Sequence, residues 1–228
     1  MYVLAIDTCC MTATTAIMSD DRLVAQVLLN NKKTHSQTIM PMIEFMLKQA
    51  ELTVNDIDFF AVAAGPGSFT GVRIGIAAIK ALAHATQKPC VPVSTLCALA
   101  NNVYPFDGII CPIMDARRGQ VYNAMFDGKT LDRLCDDRAV SMDELLEELM
   151  KTDKDVMFLG DGLFVHADKI NSVLKGRALF ASRTQRMNLA ASVAEIGYNK
   201  ALLGDIVGYA ELKPEYHRLS QAERERLQ

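Results

Sequence analysis

The chain lacks tryptophan, has no Cys-x-x-Cys and no two histidines near one another, and contains no apolar run approaching the roughly 18 to 20 residues that a membrane span needs. These absences exclude a membrane-spanning helix and a zinc site built on closely spaced ligands. The charges nearly balance, 24 Lys and Arg against 27 Asp and Glu, and the net charge of −3 leaves no basic surface for a generic grip on nucleic acid. Six cysteines suggest a disulfide framework at first sight, but Cys9 and Cys10 are adjacent, and Cys90 and Cys97 stand in apolar stretches. They read as buried thiols. The opening, Met1 to Asp7, enters a strand pattern directly, without a basic stretch or a cleavage site, which is the expectation for a cytoplasmic protein.

What is present is enough apolar material for a real core: half of the 228 residues are hydrophobic. That length is long for one average domain and short for two, so two similar lobes in one unit fit best. Tyr2 to Ile6, Thr12 to Met18 and Leu23 to Leu29 predict three strands joined by tight turns, an antiparallel meander. A helix follows from about Ser36 to Ala50, with Ser36 as its expected N-cap, then a buried strand from Phe59 to Ala63, a tight loop, and an Ala-rich helix from Val72 to Thr86.

The second half restarts in the same way. Ile109 to Met114 and Val121 to Phe126 predict strands, Met142 to Met150 a helix, Val156 to Leu159 a strand, and Leu189 to Leu203 the last long helix. The expected division is an N-terminal lobe over residues 1–102 and a reduced C-terminal lobe over residues 103–228, ending in a charged tail from Glu211 to Gln228. Two α/β lobes that each open on antiparallel strands and continue through helix-linked strands resemble the actin, Hsp70 and sugar-kinase (ASKHA) fold.

The most informative stretch runs from Gly65 to Gly75, Gly-Pro-Gly-Ser-Phe-Thr-Gly-Val-Arg-Ile-Gly, between a strand and a helix. Gly65, Gly67 and Gly71 permit positive φ and close backbone approach, and Ser68 or Thr70 can cap the helix that carries Arg73. Two readings stand. The loop's amides hold a phosphate or carboxylate at the positive end of the helix, or the turn is simply tight, with Gly71 and Gly75 letting the helix sit close on the sheet. The lysine and spacing of a P-loop are missing.

Together with Leu4-Ala5-Ile6-Asp7-Thr8, the His35-Ser36-Gln37 to Pro41 segment, Asp115-Ala116-Arg117 with Val121-Tyr122, and Gly160-Asp161-Gly162, this loop resembles the TsaB family, also called YeaZ. Order and spacing agree over nearly the whole chain. Pro214, Tyr216 and Arg218 resemble the family's closing motif, with His217 inside it. The resemblance implies a subunit that is not catalytic by itself. It would support a TsaD-type catalytic protein, with the small ATPase TsaE, in making threonylcarbamoyladenosine beside the tRNA anticodon, and would touch tRNA only indirectly. It also implies pairing through two helices, with the TsaD-type partner or with a second copy.

The catalytic relatives hold a metal with a His-x-x-x-His pair and a distant Asp, whereas His35, His84, His166 and His217 are scattered here. No metal is expected. Nucleotide-binding members of the superfamily place glycine after each phosphate-facing Asp; here Asp7 is followed by Thr8-Cys9-Cys10 and Asp115 by Ala116-Arg117-Arg118. Asp7, Asp115 and Asp161 therefore read either as turn caps or as the remnant of a nucleotide and magnesium site; no intrinsic cofactor is expected, and a subunit joint is the place left open for a nucleotide with magnesium. The remaining alternatives are a small-molecule kinase or ATPase of the same fold and, disfavoured by the missing histidine pair, a metal-dependent peptidase.

Both long helices of the first half carry more apolar surface than one core contact requires. Met42, Phe45 and Met46 on the first helix, and Ile76, Ile79 and Ala83 on the second, are the expected partner-facing residues.

Overall fold

The computed structural model describes residues 1–20, 22–31 and 33–218. They form two compact units, Met1–Ala98 with Asn188–Pro214, and Leu99–Met187 with the residues from Glu215 on. The first is built on the strand order β3-β2-β1-β4-β5. Strand β1 (Tyr2–Asp7) pairs antiparallel with β2 (Ala13–Ser19), and β2 antiparallel with β3 (Arg22–Leu29). On the other side β1 runs parallel to β4 (Phe59–Gly65), and β4 parallel to β5 (Cys90–Ser94). The meander, and the order of the elements from Tyr2 to Thr86, are as the sequence pattern predicts.

Every residue of β1 from Val3 to Ile6 and of β4 from Phe60 to Ala64 is buried to within 1 %, which requires cover on both faces. Helices α1 (His35–Gln49) and α2 (Phe69–Thr86) lie together, with Gly75 of α2 against Ile6 and Val62. Helix α6 (Ala190–Leu202) lies with Gly197 against Ala61 and Val93. Residues 61 and 62 point to opposite faces of a strand, so the helices enclose the sheet between them.

Short helix α3 (Thr95–Asn101) leads into the second unit, whose sheet order is β10-β9-β6-β7-β8. Strands β6 (Ile109–Asp115), β7 (Gln120–Asp127) and β8 (Arg133–Ser141) form its meander. The parallel strands β9 (Val156–Leu159) and β10 (Ala178–Phe180) follow. Helices α4 (Met142–Met150) and α5 (Leu163–Leu174) bury Leu145, Leu149 and Ile170 against Ile109, Cys111, Ile113 and Phe158. This strand order repeats that of the first unit, so the expected structural repeat is present.

Four features differ from the sequence reading. Segment Asn188–Pro214 belongs with the first unit rather than the second, because α6 supplies the cover that β1, β2 and β4 need on one face. Strands β5, β8 and β10 and helices α3 and α5 were not anticipated: Pro92 interrupts the apolar run of β5, and β8 carries four charged residues. Helix α2 begins at Phe69, three residues early, and the N-cap of α1 is Thr34 rather than Ser36. The tail beyond residue 218 lies outside the described residues. Among the described residues no helix is long and apolar enough to cross a membrane.

Candidate functional site

The glycine loop is joined to the residues after β1 by one backbone and one side-chain hydrogen bond. Ser68 N donates to Cys9 O at 2.8 Å, and Thr8 Oγ1 donates to Gly71 O at 2.7 Å. A Cβ on Gly71 would stand 2.0 Å from Thr8 O, one on Gly67 2.5 Å from Cys9 O, and one on Gly75 2.7 Å from Thr8 Oγ1. These three glycines are accounted for by close approach of α2 to the strand exit. Gly65 holds φ at +128°, a value that side chains disfavour. Ser68 is the N-cap of α2, its Oγ accepting from Gly71 N at 3.3 Å. Thr70 and Arg73 are exposed on the first turns of the helix. The amides of Ser68 and Gly71 are thus committed within the protein.

The carboxylates are committed too. Asp7 is fully buried, its Oδ1 accepting from Cys9 N at 2.8 Å and its Oδ2 from Asn188 Nδ2 at 2.8 Å. Burial lifts this carboxyl above the usual range, and the two hydrogen bonds offset that only in part. Cys9 beside it is pushed well up, first by burial and then by the Asp7 charge, and its Sγ donates to Ala63 O. In the second unit Asp115 Oδ1 accepts from Arg117 N at 2.7 Å, while Asp161 Oδ1 accepts from Asp115 N at 3.0 Å. Asp161 is raised by burial as well. Asp7 and Asp115 each fix a turn, and Asp161 ties the residues after β9 to the end of β6.

A nucleotide site in this fold requires open turns with amides aimed at phosphate. Here Thr8, Cys9, Cys10 and Thr12 are buried, and the turn after β6 carries Arg117 and Arg118, both exposed and at positive φ. The residues do not fit a phosphate cradle at the turn after β1.

Among the described residues no three His, Cys, Asp or Glu side chains gather to hold a metal ion. His35 Nε2 bonds to Cys10 O at 2.8 Å, His84 stacks edge-on to Tyr209, and His166 is buried, which lowers its pKa. Asn188 was not legible as a site residue: it stands 181 positions from Asp7 and carries no motif.

The helix faces also require correction. Met42, Met46, Ile76, Ile79 and Ala83 are at most 5 % exposed and belong to the core; only Phe45, at 56 %, is available to a partner. Met40 is exposed on the opposite flank of α1, and Ala77 and Ala81 on α2. The apolar arc is wide, but its centre serves the chain's own fold.

A relative from Bacillus subtilis, described as tRNA threonylcarbamoyladenosine biosynthesis protein TsaB, is 37% identical over 225 residues, spanning 98% of this chain and 96% of that protein. The chain belongs to the TsaB family. The family model described as TsaD: tRNA N6-adenosine threonylcarbamoyltransferase also matches, over residues 22–224. Among solved structures, an uncharacterized protein with similarity to peptidase YeaZ from Pseudomonas aeruginosa superposes with a TM-score of 0.82 at 24% identity, covering 95% of this chain and 99% of that one. A ROK hexokinase from Thermus thermophilus gives a TM-score of 0.50 at 11% identity over 89% of this chain and all of the hexokinase chain. The ASKHA fold expected from the lobe pattern is therefore the one found.

Proposed function

We propose that this chain is the supporting subunit of a threonylcarbamoyl transfer system, acting with a TsaD-type catalytic protein on the adenosine beside the tRNA anticodon. Membership of the TsaB family supports this reading, since the relative from Bacillus subtilis is named for threonylcarbamoyladenosine biosynthesis. The observation that carries the non-catalytic part is the use made of the carboxylates: Asp7 and Asp115, placed where this fold does phosphate chemistry, accept from the neighbouring amides of Cys9 and Arg117 and hold turns instead. Any nucleotide then lies at the joint with a partner rather than in this chain alone. A TsaE-type ATPase acts in the same assembly, and tRNA is held mainly by other subunits, in keeping with the net charge of −3.

The surface offered to the TsaD-type protein is the flank of α1 and α2 bearing Met40, Ala77 and Ala81, where small side chains let two helices approach closely. The deciding experiment is reconstitution of the modification from tRNA, a threonylcarbamoyl donor, and TsaD- and TsaE-type proteins, with and without this chain. Modified adenosine should form only when the chain is present. Equal product without it, or product from the chain alone, rules the reading out.

A further inference from the structure

Sheet edges expose unpaired amides and carbonyls, and folded proteins blunt them with charge, proline, shortness or a covering segment. Three of the four edges here follow that rule. Strand β5 contains Pro92 and is bridged by Val207, whose N and O pair with Cys90 at 2.8 Å. Strand β10 has three residues, and β8 carries Arg133, Asp136, Asp137 and Arg138.

Strand β3 does not follow it. It has eight residues, and from Leu23 to Leu29 it contains neither charge nor proline. A bulge at Val24 disturbs its start, leaving Ala25–Leu29 in regular pairing with β2 and with no strand beyond it among the described residues. Beside this open stretch lies a cavity of about 600 Å³ between β3 and α1, lined by Val27, Leu29, Gln37, Pro41 and Phe45, with Lys33 at its margin. Leu29 is 36 % and Phe45 56 % exposed. Pro41 has no N–H, so the Gln37 carbonyl loses its helical donor at the same place. No acidic residue lines the cavity, and Lys33 has no ion-pair partner among the described residues.

We propose that β3 and this groove form a docking site for an extended segment of a partner protein, added as a sixth strand beside Ala25–Leu29. Alternate apolar side chains of that segment enter the groove over Val27, Leu29 and Phe45, and a carboxylate meets Lys33. Backbone pairing supplies the affinity and the groove supplies selectivity for apolar residues at every second position. Lys33, which lines the groove, sets the charge of the residue that meets it. This face lies on the flank of α1 away from Met40, so it is separate from the surface assigned to the TsaD-type protein.

The probe is a blocked seven-residue peptide of alternating valine and threonine ending in aspartate, titrated into the isotopically labelled full chain. The amide resonances of Ala25–Leu29 should shift, and their exposed amides should exchange at least tenfold more slowly. N-methylation of the peptide at every residue should abolish the effect, and lysine in place of its aspartate should weaken binding several-fold. Leu29→Lys on the strand and Phe45→Ser on the helix should each weaken binding at least tenfold with unchanged melting; two sites guard against loss of fold in one variant. Three results each overturn the proposal: no response at β3 with millimolar peptide, equal binding of the N-methylated peptide, or prior protection of these amides in a sedimenting dimer, which assigns the edge to a second copy.

Discussion

Asn188 Nδ2 lies 2.8 Å from Asp7 Oδ2, joining the residue that introduces α6 to the last residue of β1 inside the first unit. Asn188 Oδ1 is buried and has no partner among the described residues, so the amide's described side-chain bond is the one it donates to the acid. Asn188→Leu should therefore destabilise the protein by about 2 kcal/mol or more, because it leaves a buried carboxylate oxygen unpaired. Denaturant unfolding of the variant measures this directly; a midpoint equal to that of the parent contradicts it.

Asp7 links the same contact to pH. Burial raises its carboxyl in the folded state, so the native protein holds this proton to higher pH than the unfolded chain. The contribution is fully present below the ordinary carboxylate range and is lost as pH rises through the folded value. Asp7→Asn removes the titration, and a flipped Asn188 amide can turn its free Oδ1 toward the new donor. The variant should fold and show a flatter dependence of stability on pH between mildly acid and neutral solution. Parallel profiles for parent and variant exclude Asp7 as the source.

The glycines separate steric from conformational demands. Gly71→Ala places a Cβ 2.0 Å from the Thr8 carbonyl oxygen, whereas Gly176→Ala meets nothing within 4 Å and bears only the strain of φ near +89°. The first should cost about 3 kcal/mol or prevent folding, the second about 1 kcal/mol. Comparison of the two melting curves checks the ranking.

Core and contact surface on the two helices should respond differently to charge. Ile79 is fully buried, so Ile79→Asp should unfold or aggregate the chain. Ala81→Asp alters an exposed position and should leave melting unchanged while weakening association with a TsaD-type protein at least tenfold. Sedimentation with and without the partner reports both. Unimpaired association of the Ala81 variant moves the joint elsewhere.

Thiol reactivity tests the cysteine reading. None of the six cysteines is in a disulfide; Cys9, Cys10, Cys90 and Cys111 are buried, and Cys97 and Cys135 are half-buried. Burial pushes Cys90 to about 11 and Cys9 well above its ordinary value. A disulfide-exchange reagent in mildly alkaline buffer should label the folded chain at Cys97 and Cys135 first, and the other four only after unfolding. Rapid labelling of Cys9 in the native state breaks the assignment.

The legible parts of the sequence were those where one periodicity dominated. Strand β1 reads as a strand because Val3 to Ile6 are uniformly apolar and buried on both faces, and α4 as a helix because Leu145, Leu146 and Leu149 share a stripe. Edge strands were obscured by the features that protect them: Pro92 in β5 and the charges of β8 argue locally against a strand. The apolar arcs of α1 and α2 were visible, but the sequence does not say how far a neighbour wraps around a helix, and burial drew Met42, Met46, Ile76, Ile79 and Ala83 into the core. Asp7 was singled out from its place after β1. Its partner Asn188 could not be, since a bond between residues so far apart leaves no local pattern.

The return of Asn188–Pro214 to the first unit has a consequence in time. Five strands and two long helices of that unit emerge from the ribosome early, yet the face of the sheet over Ala61 and Val93 has no cover until α6 is made. At roughly 5–20 residues per second, the interval is on the order of ten seconds, during which the second unit's segments are synthesised and can fold. A ribosome stalled before Asn188 holds a sheet with apolar residues facing water and an acid at position 7 with no amide from Asn188 to meet it.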